Sequence, residues 1–170
     1  CKSLEKINLN NATIIQKQAF SGCEKLQEIN TEKVTEIGQS AFAGCESLEN
    51  INLTSVKSLG LQAFSRSGLK SVDISAVETL GDSVFSNCEN LESVTFGNQK
   101  SLGYRMFYGA IKLNNVVLPE GMTMLNHEVF AYCHGLTKIA LPSTLTIVGN
   151  QVFYSSGLTE INIPASLDSF

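Results

Sequence analysis

The sequence predicts an α/β solenoid, wound in a right-handed sense into about eight coils of 21–23 residues. Two repeated patterns carry this prediction. Phenylalanine recurs at intervals of 22, 22, 21, 22, 23 and 23 residues, at Phe20, Phe42, Phe64, Phe85, Phe107, Phe130 and Phe153. A leucine-x-x-(Ile/Val)-x-apolar pattern occurs eight times in the same register. A fixed period in this range is typical of proteins in which each coil packs only on its neighbours.

Each copy of the leucine pattern predicts one short strand of a parallel sheet. The copies begin at Leu4, Leu26, Leu48, Leu69, Leu91, Leu113, Leu136 and Leu158. Apolar and polar residues alternate in them, which is the period of a half-buried strand. The polar alternates, among them Asn8, Asn30 and Asn52, should line the open face. We expect these amides to hydrogen-bond from coil to coil. The alternative is a polar rail for carbohydrate or peptide.

A corner and a helical turn should follow each strand. An apolar residue stands five positions before each phenylalanine, and Gly38, Gly60, Gly81 and Gly149 follow it in four coils. Because glycine reaches positive φ easily, we expect a sharp corner of that conformation. The short run before each phenylalanine suits one helical turn, opposite the sheet. The phenylalanines themselves should form one buried spine.

The five cysteines share one position of the repeat. They are Cys1, Cys23, Cys45, Cys88 and Cys133. Serine or alanine takes the place in other coils, so the position requires a small buried side chain. We expect five reduced, sheltered thiols. A bridge among Cys1, Cys23 and Cys45 is the alternative, since neighbouring coils bring their Cα atoms within reach of a disulfide.

These residues resemble the BspA-type leucine-rich repeat, whose pattern is approximately L-x-x-I-x-(I/L)-P-x-x-(V/L)-x-x-I-G-x-x-A-F-x-x-C. The match runs through essentially the whole chain, and Pro119, Pro142 and Pro164 supply the proline after the strand in the last copies. The resemblance implies a leucine-rich-repeat solenoid. It also implies an extracellular or cell-surface location and an adhesin-like role in host interaction.

The repeats predict a single domain over residues 1–170, without a linker. Both ends break in mid-repeat without a polar cap, so we expect an excerpt of a longer protein. The net charge of −4, with scattered basic residues, argues against a nucleic-acid partner. No apolar stretch approaches the roughly 18 residues of a membrane span, so no membrane insertion is expected in this segment.

No catalytic, cofactor or metal motif is recognisable. His127 and His134 have no partner at ligand spacing, and Asp73, Asp82 and Asp168 do not share a repeat position, as a carbohydrate-cleaving face would require. We therefore expect no enzymatic activity, no cofactor and no metal. The favoured function is a recognition module for a protein, and the resemblance implies a host or extracellular-matrix protein as the partner. The alternatives are a structural spacer that displays a neighbouring domain, and a glycan-binding or glycan-cleaving β-helix.

Tyrosine supplies the candidate binding residues. All four tyrosines lie in the last coils, at Tyr104, Tyr108, Tyr132 and Tyr154. The repeat register should bring Tyr108, Tyr132 and Tyr154 together on the edge opposite the sheet, with Tyr104 apart on the preceding corner. Tyrosine offers contact area and a hydrogen-bonding tip with little rotamer entropy to lose, so this edge is the predicted recognition surface.

Overall fold

The computed structural model describes residues 1–167 as a parallel β-solenoid. Residues 168–170, and with them Asp168 of the sequence analysis, lie outside the described part. The strands of the described part are two or three residues long: β1 (Lys6–Ile7), β2 (Ile14–Ile15), β3 (Glu28–Ile29), β4 (Glu36–Ile37), β5 (Ser58–Leu59), β6 (Ser71–Asp73), β7 (Thr79–Leu80), β8 (Ser93–Thr95), β9 (Ser101–Leu102), β10 (Asn115–Val116), β11 (Met124–Leu125) and β12 (Ile147–Val148).

These strands form two parallel faces, and each face is interrupted once. The leucine pattern gives the first face, with β1 beside β3 and, separately, the order β6-β8-β10. The apolar residues five positions before the phenylalanines give the second face, with β2-β4-β5-β7 and, separately, β9-β11-β12. Equivalent repeat positions pair, as in Ile15 with Ile37 and Val72 with Val94. A second sheet was not predicted, because the glycines that follow these positions in the sequence indicate a sharp corner and not a strand.

The phenylalanine spine is confirmed. Successive rings stack with centroids 5.3–5.8 Å apart and interplanar angles of at most 21°. The five central rings are fully buried, whereas Phe20 and Phe153 at the two ends are half-buried. The spine packs on the buried leucines and valines of both faces, so one continuous core runs along the molecule.

The predicted helical turns are wrong, and with them the α/β class. No residue of the described part lies in a helix. The residues two before and two after each phenylalanine instead have positive φ in all seven coils. Alternate amides then point along the solenoid axis, as where Phe20 N donates to Ala41 O over 2.9 Å and Gly22 N to Ala43 O over 2.7 Å. The intervening amides bond within the segment, as where Ser21 N donates to Gln18 O over 3.2 Å, so the consecutive pairing that a helix needs is not formed.

The count of eight coils is also wrong. The six intervals between the seven stacked phenylalanines correspond to about six turns. The first and last leucine patterns lie outside this stack, so they do not add complete turns. The third copy, around Ile51, forms no strand, and the last two copies share only a bridge between Ala140 and Asn162.

The corner glycines are required for a different reason from the predicted one. The corner positions Gly38, Gly60, Gly81 and Gly149 do not adopt positive φ. A Cβ atom on Gly60 would lie 2.6 Å from the backbone nitrogen of Gln39 in the preceding coil. The other three would meet backbone nitrogen at 2.5–2.7 Å. Glycine is required here because the backbones of neighbouring coils lie too close together to leave room for a Cβ atom.

Candidate functional site

Three tyrosines meet on the turn edge, as the repeat register predicted. Tyr108 and Tyr154 directly follow their phenylalanines, and Tyr132 is one position further on. The Tyr132 ring packs edge-on against Tyr108 at 5.1 Å and against Tyr154 at 5.4 Å between centroids. Tyr154 is 53% exposed and the other two are half-buried. The rings therefore form one continuous aromatic surface.

Tyr104 joins this surface, although it was expected to lie apart. The Arg105 guanidinium carbon lies 4.8 Å from the Tyr104 ring centroid and 4.9 Å from that of Tyr108, so it links the two rings by cation–π contacts. The Tyr104 hydroxyl donates to Glu128 Oε1 over 3.0 Å. We call the four tyrosines, Tyr104, Tyr108, Tyr132 and Tyr154, together with Arg105 and Glu128, the tyrosine edge.

The Arg105–Glu128 pair holds the tyrosine edge in place. Arg105 Nε donates to Glu128 Oε2 over 2.9 Å and Nη2 to Oε1 over 3.1 Å, which is a bidentate arrangement. The Glu128 side chain is only 17% exposed. Sequence reasoning missed both residues. The available signal was that they occupy the same repeat position, two before the phenylalanine, in neighbouring coils.

The environment raises two tyrosine pKa values. Partial removal from water is the main reason why the pKa of Tyr104 is raised, and its hydrogen bond to Glu128 adds to the shift. Partial removal from water also raises the pKa of Tyr132, and the neighbouring Tyr108 and Tyr154 contribute further. Both phenols therefore stay protonated, as hydrogen-bond donors, over the physiological range.

The cysteines are free thiols in the structure, but one of them is not sheltered. Cys1 is exposed, whereas the other four are buried. Cys45 Sγ donates to Phe20 O over 3.2 Å, and Cys88 and Cys133 make the equivalent bond to the phenylalanine of the preceding coil. Burial raises the pKa of Cys45 and Cys133 to about 12 and that of Cys88 to about 11. The buried thiols are therefore suited to packing rather than to nucleophilic chemistry.

The asparagine column of the strand face does not form the predicted amide ladder. Asn8 Oδ1 accepts from Asn10 N over 3.0 Å, and Asn30 Oδ1 accepts from Glu32 N over 2.9 Å. Asn52 and Asp73 make the same contact with the residue two positions on. These side chains close the local turns that follow each copy of the leucine pattern. Within the described coils, no group of three or more histidine, cysteine or acidic residues is placed to hold a metal ion.

Nothing in residues 1–167 amounts to a helix of the length and apolarity needed to cross a bilayer. No curated protein sequence matches the chain. Six chains of solved structures do, among them two bacterial leucine-rich repeat proteins. A leucine-rich repeat protein from Bacteroides ovatus is 31% identical over 98% of this chain, with a TM-score of 0.94. One from Eubacterium ventriosum is 19% identical over 97% of the chain, with a TM-score of 0.68, which supports the fold alone.

The chain spans 45% of the length of the Bacteroides ovatus protein and 56% of that of the Eubacterium ventriosum protein. The model of the BspA type leucine rich repeat region matches residues 1–108 and 100–170, in six copies. These two matches together cover the whole sequence. The chain therefore belongs to the BspA-type leucine-rich repeat family.

Proposed function

We propose that this chain is a non-catalytic recognition module, which binds a protein partner through the tyrosine edge and belongs to a secreted or cell-surface protein. The observation that carries the proposal is the continuity of the four tyrosines on one edge of a rigid solenoid. Exposed tyrosine clusters often anchor protein interfaces, because a large ring and a polar tip are presented at a small entropic cost. Host and extracellular-matrix proteins are the partner class that we propose.

The geometry supports this proposal in a second way. Arg105 lies between two rings and is paired with a mostly buried carboxylate, so the edge is ordered before a partner arrives. An ordered surface loses less conformational entropy on binding than a mobile one. The secreted or surface location is proposed from membership of the family, and the absence of enzymatic activity from the lack of a recognisable catalytic group.

The test is a surface plasmon resonance screen of immobilised extracellular-matrix proteins, followed by a triple variant, Tyr108→Ser, Tyr132→Ser and Tyr154→Ser. The repeat itself shows that serine fits these positions, because Ser86 and Ser155 occupy them in other coils. Loss of an anchor residue costs about 2 kcal/mol or more. We therefore expect the triple variant to weaken binding by at least about thirtyfold.

The matched control is Val117→Ser. Val117 is 73% exposed on the strand face, away from the tyrosine edge, so its removal should leave the affinity unchanged. An unchanged affinity in the folded triple variant would reject the tyrosine edge as the binding surface. If the screen finds no protein that binds, the result would favour the alternative function of a structural spacer. The uninterrupted stack of phenylalanines offers a stiff scaffold for that function.

A further inference from the structure

The turn edge continues from the tyrosines toward the N-terminal coils as a groove of about 530 Å³. Small residues of the first coils form its floor. Ser65, Ser86, Arg66 and Asn87 line its middle, and Arg105 with Tyr108 closes the end that meets the tyrosine edge. The volume lies in the range of sites that hold small ligands.

Two serine hydroxyls that line this groove are available to a ligand. Ser65 is only 9% exposed, and its hydroxyl has no hydrogen-bond partner among residues 1–167. No fully buried side-chain nitrogen or oxygen atom in residues 1–167 lacks a hydrogen-bond partner, so the unbonded Ser65 hydroxyl is open to the groove and can pair with a ligand there. Ser86, 7% exposed, accepts a bond from Asn87 Nδ2 over 3.1 Å, which leaves the serine proton free to donate.

The groove also holds both arginines of the chain, in different states. Arg105 is engaged by Glu128, as described above. Arg66 is exposed, and its guanidinium has neither an ion pair nor a hydrogen bond within the described residues. The planar guanidinium fork matches the geometry of a carboxylate. Among residues 1–167, no acidic side chain lines the groove. Glu46 and Glu89 lie around a separate hollow that Arg66 and Asn87 also border.

We propose that this groove binds an acidic oligosaccharide, with the carboxylate of a uronic acid residue on Arg66. The hydroxyls of Ser65 and Ser86 would pair with sugar hydroxyls, and the Tyr108 ring would pack against the apolar face of a sugar ring. A sugar fits better than an acidic peptide strand, because the backbone amides here are already committed. Arg66 N donates to Ser86 O over 2.9 Å, and Gly44 N to Ser65 O over 2.8 Å. Recognition is left to side-chain hydroxyls and amides.

Isothermal titration calorimetry tests the proposal with oligogalacturonate and hyaluronan oligosaccharides as probes. The comparison ligands are the same oligosaccharides with their carboxyl groups reduced to alcohols. Because the contact is bidentate and charge-assisted, the acidic form should bind at least about tenfold more tightly than the reduced form. The Arg66→Asn variant should lose this preference and bind both forms equally weakly. Asn87 occupies the same repeat position with the same left-handed φ, so asparagine fits there.

Two controls separate this site from general charge attraction and from the tyrosine edge. Lys138→Gln removes one positive charge from the strand face and should leave the affinity unchanged. The Tyr132→Ser and Tyr154→Ser changes lie outside the groove, so they should spare oligosaccharide binding while they test the protein partner. Loss of protein binding through the tyrosine edge could therefore be distinguished from loss of oligosaccharide binding in the groove.

Three outcomes would overturn the proposal. The first is no measurable binding of either acidic probe to the folded protein. The second is an equal loss of affinity in Arg66→Asn and Lys138→Gln, which would indicate unspecific charge attraction. The third is binding of oligoglutamate as tightly as of the uronic acid probes, which would indicate a carboxylate site without selectivity for sugar.

Discussion

A single phenylalanine in each coil carries much of the packing. Phe85 is fully buried and stacks on Phe64 and Phe107, each at 5.7 Å between centroids. The side chain at this position is specified by the shape of the coil, because the ring fills the space between two faces and touches the rings above and below. The recurrence of phenylalanine was for this reason visible in the sequence without any knowledge of the backbone.

We expect Phe85→Ala to lower the free energy of unfolding by about 3–5 kcal/mol, since it removes a buried ring and leaves a cavity in the middle of the stack. Urea denaturation followed by circular dichroism measures this loss. Phe153→Ala is the matched control, because Phe153 is only half-buried at the end of the stack and should cost less. Equal losses in the two variants would contradict a continuous spine.

The buried thiols make stability depend on alkaline pH. The pKa of Cys88 is raised from 9.0 to about 11 in the fold, mainly by burial. In the unfolded chain the thiols ionise first, so their contribution is complete below pH 9 and declines as the pH rises toward 11. We expect the urea midpoint of Cys88→Ser to fall less steeply above pH 9 than that of the parent protein. Serine occupies the same position at Ser67 and does not ionise in this range.

Denaturation series at about pH 8 and about pH 10 provide the comparison. All other ionisable groups are identical in the two proteins, so their contributions to the pH dependence cancel. Identical slopes for parent and variant would show that the thiol of Cys88 ionises as easily in the fold as in the unfolded chain.

At the scale of the element, the sequence predicted side-chain positions better than backbone conformation. The period placed the strands of the first face, the spine and the meeting of Tyr108 with Tyr132 and Tyr154, because each follows from which positions of the repeat are equivalent. The helical turns failed because the φ angles there depend on amides that pair with the next coil, as Phe20 N does with Ala41 O. The local sequence alone does not indicate such pairing between coils.

Gln99 is a polar exception in an otherwise apolar repeat position. It occupies a position filled by Val34, Val56, Val77, Met122 and Leu145 in other coils, eight residues before the phenylalanine. Its buried amide donates to Ile74 O over 3.0 Å and to Val77 O over 2.8 Å, and accepts from Gly97 N over 2.7 Å. One polar residue in an apolar column was the signal. Its role as a bridge between coils needed the structure.

The corner glycines provide the test at this scale. We expect Gly60→Ala to lower the free energy of unfolding by about 1–3 kcal/mol, because the new Cβ would press on backbone that cannot move without disturbing the ladder. Gly103→Ala is the matched control at the equivalent corner, where the nearest atom is the side-chain Asp82 Oδ1 at 2.7 Å. It should cost less, and urea denaturation compares the two. Equal costs would indicate that backbone contact is not what selects glycine.

At the scale of the whole molecule, the interruptions of the two faces are staggered. The first face breaks between β3 and β6, where the second is continuous through β2-β4-β5-β7. The second face breaks between β7 and β9, where the first continues through β6-β8-β10. Phe85 and Phe107 stack across the second break. Every interface between the coils that carry these strands therefore keeps one ladder together with the spine.

This arrangement predicts that the solenoid unfolds as one cooperative unit, since nearest-neighbour coupling is interrupted nowhere along the stack. The chain offers a convenient test, because all four tyrosines lie between residues 104 and 154 and it has no tryptophan. Tyrosine fluorescence therefore reports on the C-terminal coils, whereas far-ultraviolet circular dichroism reports on all of them.

The two urea midpoints should coincide in the parent protein. In Gly60→Ala, which alters only the N-terminal half, both midpoints should fall together. A fluorescence midpoint that stays at the parent value while the dichroism transition broadens or splits would show instead that the break between β7 and β9 divides the solenoid into two folding units.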